Sequence, residues 1–321
     1  MLNMKAASVE AAFIDCQNGF ATEVPVKRHA YLIIAHHHFD MLKKLIAALD
    51  SEHADFYIHI NKGVKHVDEK DILSAAVKSR AQIFRTYKIT WGADTQVRCE
   101  LMLMEQAAKG RYDYYHLLSG VDIPLRTGRE IEQFFESQQG SFLEVKQETD
   151  LTGTLDRVRY YYPLQPFIGR QKADRGFVYA LLDQIDYESQ KLQKMLGIDR
   201  TKHAPFAYCR GANWFSITHE LLTCALGQKM LIKKYFYSTR NADEMFLQCV
   251  AMASPLRDQI TRDSLRLVDW QRTEHGGCSP HTFTMEDWDM LLASDKLFAR
   301  KFDPAIDREV IDRLYDRLDV R

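Results

Sequence analysis

From about residue 29 the chain alternates short apolar runs with stretches of helical period. Tyr31 to Ala35 (YLIIA) is apolar throughout, as a strand buried on both faces should be. Leu42, Leu45, Ile46 and Leu49 then recur at i, i+3, i+4 and i+7, the stripe of an amphipathic helix. Asp55 to Ile60 (DFYIHI) reads as the next strand. Strand, helix and strand in that order predict a βαβ unit, hence a parallel sheet with its ligand at the C-terminal strand edges. The alternation continues with an edge-like strand at 81–87 and a helix with Val97, Leu101, Met104 and Ala108 inward. A buried strand follows within Tyr112 to Ser119, then a helix with Ile131, Phe134 and Phe135, and a return to the sheet at Ser141 to Val145.

The second half is less regular. Residues 150–205 are basic and aromatic, with one helix expected over Tyr179 to Leu196. Long irregular segments in compact domains are often functional, so this one reads as a lid over an acceptor. A strand is expected over Gly211 to Thr218, and a helix from Asp243-Glu244 with Phe246, Cys249, Val250 and Ala253 buried. A charged amphipathic helix runs to Arg321. Residues 1–28 show no period and are expected to form a loose arm; VKRHAYL, from Val26, looks like the natural opening of the first strand.

Composition narrows the function. The net charge of -1 over 321 residues gives no basic field for nucleic acid. No run of 18 apolar residues occurs, and the N-terminus lacks a signal-peptide pattern. The cysteines Cys16, Cys99, Cys209, Cys224, Cys249 and Cys278 are scattered without C-x-x-C, which argues against a zinc knuckle or a disulfide framework and suits a reducing cytoplasm.

Four places carry candidate chemistry. The strand YDYYHLLS stops at Ser119-Gly120 and hands over to Asp122, Pro124 and Arg126. A glycine at a strand edge lets backbone approach a ligand, and a carboxylate two residues on lies where open α/β sheets bind. His36, His37 and His38 follow the first strand; adjacent side chains diverge there, so a ring donor or stacking face is expected rather than a metal site. Asp243-Glu244 opens a helix, where one carboxylate can cap and the other can point into a cleft as a general base. Arg300-Lys301 lies among Leu297, Phe298, Ala299 and Phe302, a setting for a diphosphate-binding cation or for an ion pair with Asp303 or Asp307. G-x-x-x-x-G-K-[ST], G-x-G-x-x-G and G-x-S-x-G are all absent.

The segments AYLIIAHHHFDMLKKLIAALD, FYIHINKG, ITWGADTQVRCEL, YYHLLSGVDIPLRT, GANWFSIT, DEMFLQ, SPHTF and LFARKFD follow one another over residues 29–304. In that order they resemble the core-2/I-branching β-1,6-N-acetylglucosaminyltransferase family, related to peptide O-xylosyltransferases, and look most like its bacterial members. The resemblance implies an α/β, glycosyltransferase A-type fold: a Rossmann-like nucleotide-sugar-binding sheet with an acceptor-binding half. Residues 29–321 would form one glycosyltransferase domain, 29–146 mainly binding donor and 147–321 supplying the acceptor and catalytic half.

It further implies a UDP-sugar donor, inversion at the anomeric carbon, and no metal or other cofactor. The only D-x-D-like run that draws notice, Asp287-Trp288-Asp289, looks helical and lies away from the nucleotide half. Carried over by motif, Glu244 would be the general base. Lys301, with Arg300, would neutralise the leaving diphosphate. His36, Asn61 and Trp91 match the uridine side, Asn61 standing where relatives often have aspartate. Asp122 matches the loop beneath the donor sugar, and Glu144, Arg157 and Trp214 fall where the acceptor should sit. Where some relatives carry a second diphosphate arginine, this chain reads GGCSPHTF with Cys278 nearest; Ser279, Arg272 or Arg300 are the candidate substitutes.

The expected function is transfer of GlcNAc or xylose to a hydroxyl of a glycan or lipid-linked glycan, in bacterial surface polysaccharide synthesis. No nucleic-acid partner is expected. A cytoplasmic location goes with this reading, with peripheral attachment at the inner face of the membrane through the final helix or the Lys229 to Tyr237 stretch. A non-catalytic nucleotide- or glycan-binding module on the same scaffold is the alternative.

Overall fold

The computed structural model describes residues 26–146, 153–169, 176–272 and 279–320. The first half runs β1 (His29–Ala35), α1 (Phe39–Leu49), β2 (Ala54–Ile60), α2 (Glu69–Leu73), β3 (Arg80–Phe84), α3 (Thr95–Ala108), β4 (Tyr114–Ser119), β5 (Ile123–Pro124), α4 (Gly128–Glu136) and β6 (Ser141–Leu143). The second half runs α5 (Asp156–Arg159), α6 (Gln165–Ile168), α7 (Phe177–Met195), β7 (Phe215–Thr218), α8 (His219–Gly227) and α9 (Lys229–Phe236). A 3₁₀ turn (Ala242–Glu244) leads into α10 (Phe246–Ala253), followed by β8 (Ile260–Thr261), β9 (Arg266–Val268), α11 (Trp288–Ala293), β10 (Phe298–Arg300) and α12 (Arg308–Arg317).

A seven-stranded sheet in the order β3-β2-β1-β4-β7-β6-β8 forms the centre. Strands β1 to β4 are parallel, and β7 joins antiparallel to both β4 and β6. The central strands are apolar runs because both faces are covered. On one face α1 turns Leu42, Leu45, Ile46 and Leu49 onto the sheet, and α4 adds Ile131 and Phe135. On the other, α3, α8 and α10 pack around Leu101, Leu222 and Phe246. A small sheet, β5-β10-β9, carries α11 and α12 and closes one end.

Several sequence expectations shift. The third strand pairs over Arg80–Phe84 rather than 81–87, because the Tyr87 amide turns to His59 Nε2 instead of the ladder. The strand expected from Gly211 pairs only from Phe215. Asp243 and Glu244 lie in the 3₁₀ turn, one residue before α10, and Ala253 is exposed. The basic, aromatic segment is more helical than expected, holding α5, α6 and α7, although residues 147–152 and 170–175 within it lie outside the described residues, as does the arm through residue 25. The two stretches expected at a membrane turn their apolar sides inward: α9 buries Ile232, Tyr235 and Phe236, and α12 buries Val310, Ile311, Leu314 and Tyr315. Among the described residues no helix is long and apolar enough to cross a membrane.

One polar seam crosses the core. His29 Nδ1 meets His116 Nε2 at 2.9 Å, and His116 Nδ1 meets Ser216 Oγ at 2.9 Å. The β4–β7 ladder ends at the His116–Ser216 pair, and there the strands part like a fork. The buried Arg266 guanidinium, from β9, fills that fork. It donates to Ser216 Oγ (2.8 Å), Leu117 O (3.1 Å), Phe215 O (2.8 Å) and Ser264 O. Burial holds His29 down at about 4 and His116 below the ordinary imidazole range, so both rings stay neutral in the fold.

Candidate active site

Strand order reverses between β1 and β4, and an open α/β sheet binds ligands in the crevice outside such a point. Gly120 closes its floor. Its amide donates to Ile34 O at 3.0 Å, and a Cβ there would stand 2.8 Å from Ala35 Cβ. What this glycine admits within the fold is Ala35 of β1. Asp122, two residues later, is fully buried: the Ser119 amide donates to its Oδ2 at 2.9 Å and the Ser119 hydroxyl to its Oδ1.

Arg300, at the end of β10, brings its Nε to 3.4 Å from Asp122 Oδ1, and its guanidinium lies over Trp214 at 4.0 Å from the ring centroid. One partly buried cation thus joins a residue expected under the donor to one expected at the acceptor. Lys301 follows directly. Two residues on, Asp303 lies 3.5 Å from His38 Nε2, which brings the chain after β10 to the edge of β1. The His36 and His37 rings lie 4.0 Å apart, and His37 and His38 4.3 Å, centroid to centroid. The three rings therefore cluster rather than diverge, His38 adopting a left-handed conformation (φ 50°). Among the described residues, no three His, Cys, Asp or Glu side chains form a group that could hold a metal ion.

Asn61, just past β2, uses both ends of its amide locally. Nδ2 donates to Ile89 O at 3.0 Å, and Oδ1 accepts from the Gly63 amide at 3.0 Å. An aspartate could make only the second bond. The loop it braces leads to Trp91, whose side chain is 42% exposed at the rim. Gly92 (φ +70°) lies against Asn241, where a Cβ would come within 2.7 Å of Oδ1, and the Asn241 amide donates to Gly92 O at 2.8 Å. The Trp91 loop and the turn bearing Glu244 are thereby one unit.

Glu244 is half-buried and accepts from Arg157 Nη1 at 2.8 Å. Its backbone oxygen accepts from the Gly211 amide at 3.0 Å. Gly211 is obligatory: a Cβ would lie 1.8 Å from Glu144 O. Glu144 itself pairs with Lys146 at 3.0 Å. Glu144, Arg157, Trp214 and Glu244 are thus linked by direct contacts or by the Gly211–Trp214 segment, and Arg300 and Asp122 continue the chain of contacts to the switch point.

One acid escaped the sequence reading, and a second, Asp243, was read there only beside Glu244 at a helix start. Glu100, on α3, is fully buried, accepts from Gln96 Nε2 at 2.9 Å, and is pushed far up by burial and then by the Asp243 charge. Asp243 is raised to about 7 by burial first and by Glu244 second. Glu100 sits one residue before Leu101 on the inward stripe of α3, which is the signal that marks it. Arg272, a candidate second cation, is taken up by Asp269 (2.6 Å) and Asp287 (2.8 Å), and Cys278 lies outside the described residues.

A mostly parallel sheet, a crevice at its switch point and a second half that returns into the same sheet fit the glycosyltransferase A-like class of α/β folds. The chain belongs to the Core-2/I-branching enzyme family, whose model matches residues 29–293. Xylosyltransferase 2 of Rattus norvegicus is 24% identical over 313 residues, covering 90% of this chain and 33% of the relative. Xylosyltransferase 2 of Homo sapiens is 24% identical over 319 residues with the same shares, and xylosyltransferase 1 of Pan troglodytes is 22% identical over 310 residues, covering 89% and 30%. The chain spans about a third of the length of these curated relatives.

Proposed function

We propose that this glycosyltransferase moves a sugar, GlcNAc or xylose, from a UDP-sugar to a hydroxyl of a glycan acceptor in bacterial surface polysaccharide synthesis, with inversion and without a metal. The observation that carries the reading is the half-buried Arg157–Glu244 pair. Arg157 occupies Oε2 and leaves Oε1 to take a proton. In this mechanism Glu244 accepts the proton of the acceptor hydroxyl as that oxygen attacks C1 of the donor sugar. The C1–O bond to UDP breaks on the opposite face, in a single displacement through an oxocarbenium-like transition state.

The leaving diphosphate gains negative charge that must be stabilised electrostatically. Lys301 supplies that charge, and the Asp122–Arg300–Trp214 stack holds the end of the strand that it follows. Trp91 and His36 line the uridine side, and Asn61 acts by bracing the Trp91 loop. Glu144 and Trp214 border the acceptor. UDP calorimetry in EDTA and then in manganese tests the donor site: equal affinity in both buffers is expected, and binding only with manganese overturns the metal-free mechanism. Glu244→Gln should keep UDP affinity and lose transfer by at least ~10²-fold; retained transfer removes Glu244 from the chemistry. Lys301→Ala should weaken UDP binding.

A further inference from the structure

Helix α7 is built inside out. Its buried side chains are Asp186 and Gln193, while Val178, Leu181, Ile185, Leu192, Met195 and Leu196 are 48% to 83% exposed. Spacings of three, four, seven and four from Val178 to Leu196 put these residues on one flank of the helix. The inner side is fastened by polar contacts. Gln193 Oε1 accepts from the Tyr161 amide at 2.7 Å and its Nε2 donates to Tyr161 O at 2.9 Å, and Gln190 donates to Asp186 at 2.6 Å.

A patch of this kind on a folded chain marks an interaction site. It continues toward the cleft: Phe167, 67% exposed, lies on α6, which Gln165 ties to Trp91 O at 3.1 Å. At the other end Arg200, just past α7, donates to Lys234 O (2.7 Å) and Tyr237 O (3.0 Å), so the C-terminal end of α9 lies alongside. Lys194, Lys202, Lys233 and Lys234 are all exposed around that junction. Glu188, the acid within the apolar flank, is paired with Lys191 at 3.2 Å.

We propose that α7 is a membrane-docking helix that lies flat on an anionic lipid surface, with its apolar flank among the acyl chains and the Lys194, Lys202, Lys233 and Lys234 group on the headgroups. A helix of 19 residues, about 28 Å long, that carries Asp183, Asp186, Glu188, Lys191 and Lys194 cannot span a bilayer but has the composition to lie in its interface. A protein partner would bury the apolar flank equally well. The basic group beside it is what favours lipid, because anionic headgroups attract exposed lysines near the surface. Phe167 and, through Gln165, the Trp91 loop then lie beside the same surface, where a lipid-linked form of the proposed function's glycan acceptor would be presented.

The test is sedimentation of the full chain with phosphatidylcholine vesicles made with and without phosphatidylglycerol. Binding should require phosphatidylglycerol and weaken with salt. The Leu181→Asp/Ile185→Asp pair should abolish it, and Lys233→Glu/Lys234→Glu should weaken it by at least about tenfold. Both pairs are exposed, and an unchanged melting temperature certifies that the fold survives. No sedimentation with either vesicle, or sedimentation that the Leu181/Ile185 pair leaves intact, overturns the proposal. A dimer in light scattering that the same pair dissolves, without vesicle binding, overturns it in favour of a second copy of the chain. None of these readouts depends on turnover, so they stand or fall apart from the proposed chemistry.

Discussion

Arg157 and Glu244, 87 residues apart in the chain, meet through a 2.8 Å charge-assisted hydrogen bond with both side chains about one-third exposed. An ion pair so placed contributes only about 0–1 kcal/mol to stability. Holding a reacting group in register can matter by about 10²-fold in rate. Arg157→Gln should therefore lower kcat by roughly 10- to 10²-fold while moving the melting temperature little, and Arg157→Lys should recover part of the loss. Steady-state kinetics beside a thermal melt decide it. A collapse in stability that matches the loss of rate would make the pair structural.

Asp243 offers a pH test with a definite sign. Its carboxyl titrates at about 7 in the fold, raised from 3.8. Between these values the unfolded chain has released the proton and the folded chain retains it, so this group's contribution to stability falls as pH rises from about 4 to 7. Asp243→Asn removes that dependence. The gain in stability of the variant over the parent should be small near pH 4 and reach a few kcal/mol by pH 8. His29, held at about 4, acts in the opposite sense over pH 4 to 6.5 but cancels in the comparison. Melts of the two proteins across pH give the answer, and a constant difference would rule out a titrating Asp243.

Arg266→Met tests the fork. The substitution keeps apolar bulk but leaves Leu117 O and Phe215 O, both in the core, without their donor. Unpaired buried acceptors cost about 1–3 kcal/mol each, so a loss of about 3 kcal/mol or more is expected in urea unfolding. A midpoint within experimental error of the parent's would mean that water or a neighbour replaces the guanidinium.

Gly211→Ala and Gly227→Ala form a matched pair. The first drives a methyl to 1.8 Å from Glu144 O and must break the Gly211–Glu244 backbone bond. The second meets nothing within 4 Å. Gly211→Ala should abolish transfer and lower the melting temperature, whereas Gly227→Ala should be neutral or slightly stabilising. Equal behaviour of the two variants would show that the loop at Gly211 yields freely.

Much of the first half could be read from the pattern of apolar residues, because β1, β2 and α1 carry nearly pure periods and local order there agrees with the tertiary fold. The second half was harder for physical reasons. The short strand β7 gains its partners from β4 and β6, both earlier in the chain, and no local period announces that. Arg266 is an arginine between two leucines, and three of its four partners lie 50 or more residues away in sequence. The inversion of α7 was hidden because periodicity locates an apolar stripe but not the side that faces water. Motif order pointed to Glu244, Arg157, Trp214 and Arg300; Arg157–Glu244 and Arg300–Trp214 touch directly, but the link between the two pairs runs through Gly211, whose role is purely backbone.

The position of β7 has a consequence for how such an enzyme can change. Its residues belong to the second half of the chain, yet it is hydrogen-bonded directly to β4, the strand that leads into Asp122. Recombination that exchanged the second half for another would have to import a new middle strand for the sheet and a new filler for the fork. New specificity is therefore more accessible through α5 to α7 and the loops around them, which supply no strand to the sheet. The architecture channels variation to its rim and holds the weave constant.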